Sequence, residues 1–323
     1  MAHQWRELAE LVEQSILENP IQGEPKELYS PISYTLSMGG KRIRPALALM
    51  GAELFGAKAE EHLHLALAVE TFHNFTLVHD DIMDEAPLRR GKETVHQKWN
   101  RHIAILSGDV MFVKAYQQLC KANPKQLPAL LDLFNQTAIE VCEGQQMDMN
   151  FEKDEKVSLD DYLKMIELKT AVLLAASLKL GAIAAGANEK EAELLYNFGR
   201  DLGIAFQIQD DYLDAFADPE KFGKRVGGDI LSNKKTYLLL SAFQSANAKE
   251  KQALESALQI EDEEAKILAV KEHFAALGAV EKTQMAMQAY SEKAQQALAQ
   301  IQLPESDKEP LIELADFLMQ RGV

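Results

Sequence analysis

Asp80, Asp81 and Asp84 stand in a D-D-x-x-D spacing, and Asp210, Asp211 and Asp214 repeat it far along the chain. Apolar residues at helical spacing flank each cluster, so each reads as part of a helix. On a helix the first and last aspartates of a cluster share a face, with Cβ atoms about 5–6 Å apart. Like charges so placed destabilise an isolated helix by about 0.2–0.5 kcal/mol per pair. A chain that accepts this twice calls for something positive between the carboxylates. Hard divalent cations with oxygen ligands fit, Mg²⁺ above all, which takes one or two carboxylates, waters and substrate phosphates.

Basic groups accompany the acids. His73 and Thr76 lie seven and four residues before Asp80, so His73, Thr76, Asp80 and Asp84 form one helical stripe. Arg89-Arg90-Gly91-Lys92 follow at once, Gly39-Gly40-Lys41-Arg42-Ile43-Arg44-Pro45 precede, and Lys224 and Lys234-Lys235 come after the second cluster. Carboxylates for metal beside Lys and Arg for phosphate describe a diphosphate site, with Arg as a planar fork and Lys as a point charge. Taken singly these features are bland. One acidic cluster is usually a solvated face, His73 a satisfied core histidine and Lys169 a snorkelling lysine. Glu167 and Asp160-Asp161 read as a solvated face.

The elements that must position these residues are helices. Periodicity of about 3.6 runs through Trp5 to Leu17, Pro45 to Leu54, Ala66 to Asp84, Ile103 to Lys121 and Leu130 to about Cys142. Pro124 and Pro128 read as a stop. Ser158 is an N-cap for a helix from Tyr162 to Ala185, and Glu189 to Ala217 carries the second cluster. Pro87 to Thr94 reads as a charged connection, Asp218 to Asn233 as a loop rich in Gly and Lys, and Tyr237 as the start of another helix. No period-two strand pattern with turn signals stands out. The expectation is an all-α, single-domain bundle of about ten or more helices around a central cavity, spanning 1–323.

Composition narrows the function. A formal charge of −16 opposes non-specific nucleic-acid binding and docking on an anionic membrane. Two cysteines in 323 residues suggest a reducing compartment and no disulfide framework. No apolar run approaches the ~18 residues of a membrane span. A cytoplasmic location is expected.

In order and spacing, the quoted stretches resemble the all-trans isoprenyl diphosphate synthase family. To them belong Leu88-Arg89-Arg90-Gly91, Gly144-Gln145-Gln146-Met147-Asp148, Lys169-Thr170, the run Gly203 to Asp214, and Gly223-Lys224 with Asn233-Lys234. The resemblance implies three Mg²⁺ per active site, two on Asp80 and Asp84 and one on Asp210, with Asp211 and Asp214 supporting through water and Asp81 also counted among the catalytic residues. It implies that Arg89, Lys169, Lys224 and Lys234 bind the allylic diphosphate, and that Lys41, Arg44, His73 and Arg90 bind isopentenyl diphosphate. Thr170 and Gln207 would steady an allylic cation. A homodimer is implied too.

In that family bulky residues before the first cluster close the product tunnel. Phe75 is five residues before Asp80, about 7.5 Å along the axis, and Thr76 is next. The pair implies a short product, C20 ahead of C15; Met50, Phe112 and Met147 are further candidates for the floor. Three other readings compete. A class I terpene cyclase would carry a different second motif. An all-α phosphohydrolase would use His79-Asp80 with His62, His64 and His73 as metal ligands. A non-catalytic partner subunit would tend to lose a cluster.

Overall fold

The computed structural model describes residues 4–154, 156–217 and 226–320. In chain order the helices are α1 (Trp5–Glu18), α2 (Lys26–Leu36), α3 (Ile43–Leu54), α4 (Leu63–Met83), α5 (Val95–Lys98), α6 (Arg101–Leu119), α7 (Leu127–Phe151), α8 (Leu159–Ile166), α9 (Val172–Ala184) and α10 (Glu189–Phe216). They continue as α11 (Gly228–Leu231), α12 (Tyr237–Ser245), α13 (Ala248–Leu258), α14 (Glu263–Ala276), α15 (Ala279–Ala299) and α16 (Glu305–Met319). The expected all-α class holds. The sheet content among the described residues is β1 (Leu88–Arg89) paired antiparallel with β2 (Lys92–Glu93).

Several elements depart from the sequence reading for local reasons. Pro31 inside α2 obscures a helix whose buried residues include Ile32 and Leu36. Pro128 sits in the first turn of α7, where a missing N–H costs nothing, so it opens that helix. Ser158 caps α8 as expected, and Asp161, exposed as expected, also completes a reciprocal capping box. The anticipated helix from Tyr162 to Ala185 is three pieces, because a π-helical turn, Glu167–Ala171, separates α8 from α9. In the expected loop after the second cluster, residues 218–225 lie outside the described ones, and α11 adds one helical turn.

Contacts along the chain define two compact units. The first comprises Met1–Asn135, Ala176–Leu195 and Leu303–Pro310. Here α4 packs along α6 and against α3, and α3 also meets α1. Residues Ala46–Ala52 of α3 are buried on every side, as a helix apolar all round must be. The second unit comprises Gln136–Ala175, Tyr196–Gln302 and Leu311–Val323. One of its cores joins Tyr162, Met165, Ala171, Ile204, Ile208 and Leu240; another joins Ile230, Leu239, Leu254, Val270 and Phe274.

Candidate active site

In the first unit, α4 ends on its aspartates. Asp80 and Asp81 lie in the last turn and Asp84 is the C-cap, its amide donating to the Asp80 carbonyl at 2.8 Å. Carboxylates there face the negative end of the helix dipole, which adds to their mutual repulsion. Asp81 is buried and forked by Arg89: Nε donates to Oδ1 at 2.8 Å and Oδ2 at 2.9 Å, and Nη2 lies 2.7 Å from Oδ1. Asp84 is exposed and Asp80 half-buried. Arg89 is delivered by β1. The hairpin turns on Arg90 (φ 53°) and Gly91 (φ 73°), the double positive φ that two-residue hairpins favour.

A cationic group stands around the same helix. Arg44 Nη1 donates to His73 Nε2 at 3.3 Å, and Thr76 Oγ1 donates to the His73 carbonyl at 2.8 Å. Burial, then the charges of Arg44, Arg90, Arg89 and Arg42, hold His73 well below its usual range, so its ring is neutral and accepts. Burial and Arg90 also lower Arg44, against the opposing pull of Glu70. Arg44 Nε is buried with no partner. Such a set of mutually repelling cations fits an anionic ligand. Lys41 is exposed on the adjoining turn.

Aromatic rings fill the next layer of α4. Phe75 stacks on Phe112 at 5.0 Å and meets the edge of His79 at 4.8 Å; Phe72, Tyr116 and Phe134 extend the cluster. Further from Asp80, a cavity of about 470 Å³ opens beside Leu67 and Thr71 of α4 and Gln118 and Lys121 of α6.

In the second unit, α10 likewise ends on aspartates. Asp211 is buried and accepts from the Tyr162 hydroxyl at 2.5 Å and the Tyr237 amide at 3.5 Å. Burial pushes its pKa up to about 7, partly offset by Lys234. Asp214 accepts from the Asp229 amide at 2.9 Å, and the Gly227 amide donates to the Asp214 carbonyl at 2.6 Å. Asp210 and Asp214 are half-buried. Lys234 Nζ is 3.7 Å from Asp229 Oδ1. Burial opposes its charge, but Asp211, Asp229, Asp148 and Asp210 together raise its pKa.

Lys169 and Thr170 ride on the π turn, a device often found at functional sites. Lys169 Nζ donates to Asp148 Oδ2 at 2.5 Å. Gly144 permits this approach of α7, since a Cβ there would lie 2.2 Å from the Lys169 amide nitrogen. Gln207 is half-buried on α10. Lys235 is spent on the carbonyl of Phe151, the last residue of α7, at 2.6 Å. Lys224 lies outside the described residues.

Each unit therefore gathers part of the expected set. Arg44, His73, Arg89, Arg90 and the first cluster stand in one; Lys169, Gln207, Lys234 and the second cluster stand in the other. Among the described residues no three His, Cys, Asp or Glu side chains converge on a metal position. The i,i+4 carboxylate pairs are the smaller donor set Mg²⁺ uses when phosphates and water complete its shell. The phosphohydrolase alternative finds two of its four histidines already engaged. His79 Nε2 faces the Ile105 carbonyl at 3.2 Å, and His73 is engaged by Arg44. Sequence reading missed Tyr162, Asp148 and Asp229 as partners of the expected residues. Tyr162 is 49 residues from Asp211 and Asp148 is 21 from Lys169, so no spacing rule links them.

Residues 25–277 match the family described as polyprenyl synthetase. A geranylgeranyl diphosphate synthase of Methanosarcina mazei is 45% identical over 222 residues, 68% of either chain. A geranylfarnesyl diphosphate synthase of Natronomonas pharaonis is 34% identical over 337 residues, covering 98% of this chain and 96% of the other. A solved geranylgeranyl pyrophosphate synthase superposes over the whole of both chains with a TM-score of 0.94 at 43% identity. The chain belongs to the polyprenyl synthetase family and is a trans-prenyltransferase.

Proposed function

We propose that the enzyme condenses isopentenyl diphosphate with an allylic diphosphate (dimethylallyl, geranyl or farnesyl) to a short all-trans prenyl diphosphate, C20 ahead of C15, releasing pyrophosphate. One observation carries the reading. In both clusters the central aspartate is drawn inward by a buried contact, Arg89 on Asp81 and Tyr162 on Asp211, while the first and last remain more accessible. That division puts the i,i+4 carboxylate pairs on the more accessible side, where cations can reach them.

Asp80, Asp84 and Asp210 are the proposed Mg²⁺ ligands, three ions per site, with Asp214 and Asp211 in support. Bound there, Mg²⁺ would supply charge stabilisation to the departing diphosphate. Arg89, Lys169, Lys234 and Lys224 take the allylic diphosphate oxygens. Lys41, Arg44, His73 and Arg90 take isopentenyl diphosphate, which the neutral His73 serves as a hydrogen-bonding group rather than a charge. As the allylic C–O bond breaks, Thr170 and Gln207 oxygens steady the cation. The isopentenyl double bond attacks it, and the proton leaves to the released pyrophosphate. The scheme asks for positioned charge and no protein nucleophile.

The aromatic layer at Phe75 supports a short product, since it stands on the helix that ends in Asp80. We also propose a homodimer. Leu106 and Val113, each 56% exposed and seven residues apart, leave an apolar stripe on α6. Among the described residues no helix is long and apolar enough to cross a membrane.

The test is purified protein with Mg²⁺, isopentenyl diphosphate and each allylic primer in turn. Pyrophosphate release should require both substrates, and the sized product should be C20 or C15. Release from the allylic substrate alone would indicate a cyclase; phosphate release from either alone would indicate a hydrolase.

A further inference from the structure

Arg42 lies between two residues assigned to isopentenyl diphosphate, yet it turns away from them. Its Nε donates to Glu13 Oε2 at 2.6 Å, Nη1 to Glu70 Oε1, and Nη2 to the Leu36 carbonyl at 2.5 Å. Both side chains of the Arg42–Glu70 pair are almost wholly buried. Glu70 Oε1 also accepts from Asn74 Nδ2 at 2.7 Å, and the same nitrogen donates to the Glu70 carbonyl at 2.8 Å. The pair is thus fixed from both sides.

The backbone of Arg42 is left-handed, φ 50° and ψ 32°, at the N-cap of α3. A non-glycine residue stays in that region only where its surroundings over-determine it. The three contacts of the guanidinium do so. Because Arg42 caps α3, its conformation sets where that helix starts and where Arg44, two residues on, is carried. Arg90 braces the same turn, donating through Nη1 to the Gly39 carbonyl; a Cβ on Gly40 would come within 2.9 Å of its guanidinium. Glu70 and His73 are three apart on α4, so they share a face. One grips Arg42 and the other meets Arg44.

We propose that Glu70, acting through Arg42 with help from Glu13, is a positioning residue for isopentenyl diphosphate, holding the 39–44 turn in the conformation that presents Lys41 and Arg44. This rests on the assignment of Lys41, Arg44, His73 and Arg90 to that substrate. Glu70 is also a negative charge facing Arg42, Arg44 and Arg90. The two roles predict opposite signs. If Glu70 positions, its removal weakens isopentenyl diphosphate binding. If it only neutralises the cluster, its removal makes the site more cationic and tightens binding.

The experiment measures kcat and both KM values for Glu70→Gln, Glu13→Gln, Arg42→Lys and Arg44→Ala, with folding followed by circular dichroism. Glu70→Gln and Arg42→Lys should raise the KM for isopentenyl diphosphate at least ~10-fold, with the allylic KM within about threefold. Lysine cannot rescue, because one ammonium cannot replace a planar fork serving three acceptors. Glu13→Gln should shift the same KM less, since Glu13 is 32% exposed. If Glu70→Gln does not fold, Glu13→Gln and Arg42→Lys decide the matter. An isopentenyl KM that falls or stays constant in the folded variants, or an equal rise for both substrates, overturns the proposal. An unchanged isopentenyl KM in Arg44→Ala overturns the site assignment itself, and the positioning role falls with it.

Discussion

The two aspartate clusters share a spacing and a place at the C-terminal end of a long helix, yet the protein holds them differently. Asp81 is gripped by a guanidinium, so the first cluster carries its own counter-charge, with Arg44 and Arg90 nearby. Asp211 is gripped by a neutral tyrosine hydroxyl, and burial lifts its pKa to about 7. Among the described residues, the second cluster's positive partner is Lys234, whose charge Asp211, Asp229, Asp148 and Asp210 favour. The residues behind the clusters differ too. Five before Asp80 stands Phe75, in a stack of rings; five before Asp210 stands Ala205, fully buried. One motif thus serves two settings, with the Phe75–Phe112 stack standing behind the first.

The largest effect should come from the carboxylates the two clusters have in common. Asp80→Ala or Asp210→Ala should lower turnover at least ~10²-fold, about 2.7 kcal/mol of transition-state stabilisation. Folding should survive, because each change relieves like-charge repulsion at a helix C-terminus. Chelation should abolish activity in the wild type, and Mg²⁺ should restore it. Near-normal turnover in either folded variant would break the equivalence of the two clusters.

Next in size is the aromatic wall on α4. Phe75→Ala removes a ring stacked on Phe112 and opens space in the aromatic layer behind Asp80. Products at least one isoprene unit longer are expected by chromatography. The stability cost should fall below the roughly 3–5 kcal/mol of a fully buried Phe→Ala change, since Phe75 is only half-buried. An unchanged product distribution in a folded, active variant would move the floor to Phe112, Met50 or Met147.

A smaller effect should separate the two central aspartates. Asp81→Asn leaves the Arg89 guanidinium without its carboxylate, so the allylic KM should move. Tyr162→Phe leaves the Asp211 carboxylate buried with one donor fewer, so the Mg²⁺ requirement should rise and turnover fall by about tenfold, near 1.4 kcal/mol. Kinetics against Mg²⁺ concentration would show the split. Identical responses in the two variants would mean that the different partners have no functional consequence.

How much of this is legible in the chain follows from how local each signal is. The i,i+4 spacing of the aspartates, the apolar stripe of α4 and the Ser158 cap all act within a turn or two. Each can be read from the sequence and appears in the structure. Arg42 reads as one more phosphate-binding base, and only its burial against Glu70 reveals otherwise. The π turn has no compositional mark, and its close packing on Gly144 of α7 joins residues too far apart in sequence for periodicity to link them. Tyr162 and Asp148 pair across long sequence separations that no periodicity encodes.

The smallest effect concerns the charge around the first cluster and is read through pH. His73 sits among Arg44, Arg90, Arg89 and Arg42, and burial and these charges hold its native pKa well below the ordinary value of 6.5. Above about pH 6.5 the ring is neutral in both folded and unfolded chains and contributes nothing. As pH falls below that, the unfolded chain binds a proton that the native protein refuses. The unfolded state then holds more protons, so stability declines toward acid, with a slope of at most about 1.4 kcal/mol per pH unit for one group. His62 and His64, also lowered by burial, titrate in the same sense but are common to wild type and variant. The difference between wild type and His73→Gln therefore isolates His73. Denaturant midpoints at pH 7.5 and 5.5 should show a smaller acid loss in the variant. Added pyrophosphate should shrink the gap, because an anion beside Arg44 and Arg90 makes a protonated His73 less costly. Equal acid losses with and without His73 would mean the arginines around α4 do not set its charge, and the electrostatic contrast between the clusters would rest on Asp81 and Arg89 alone.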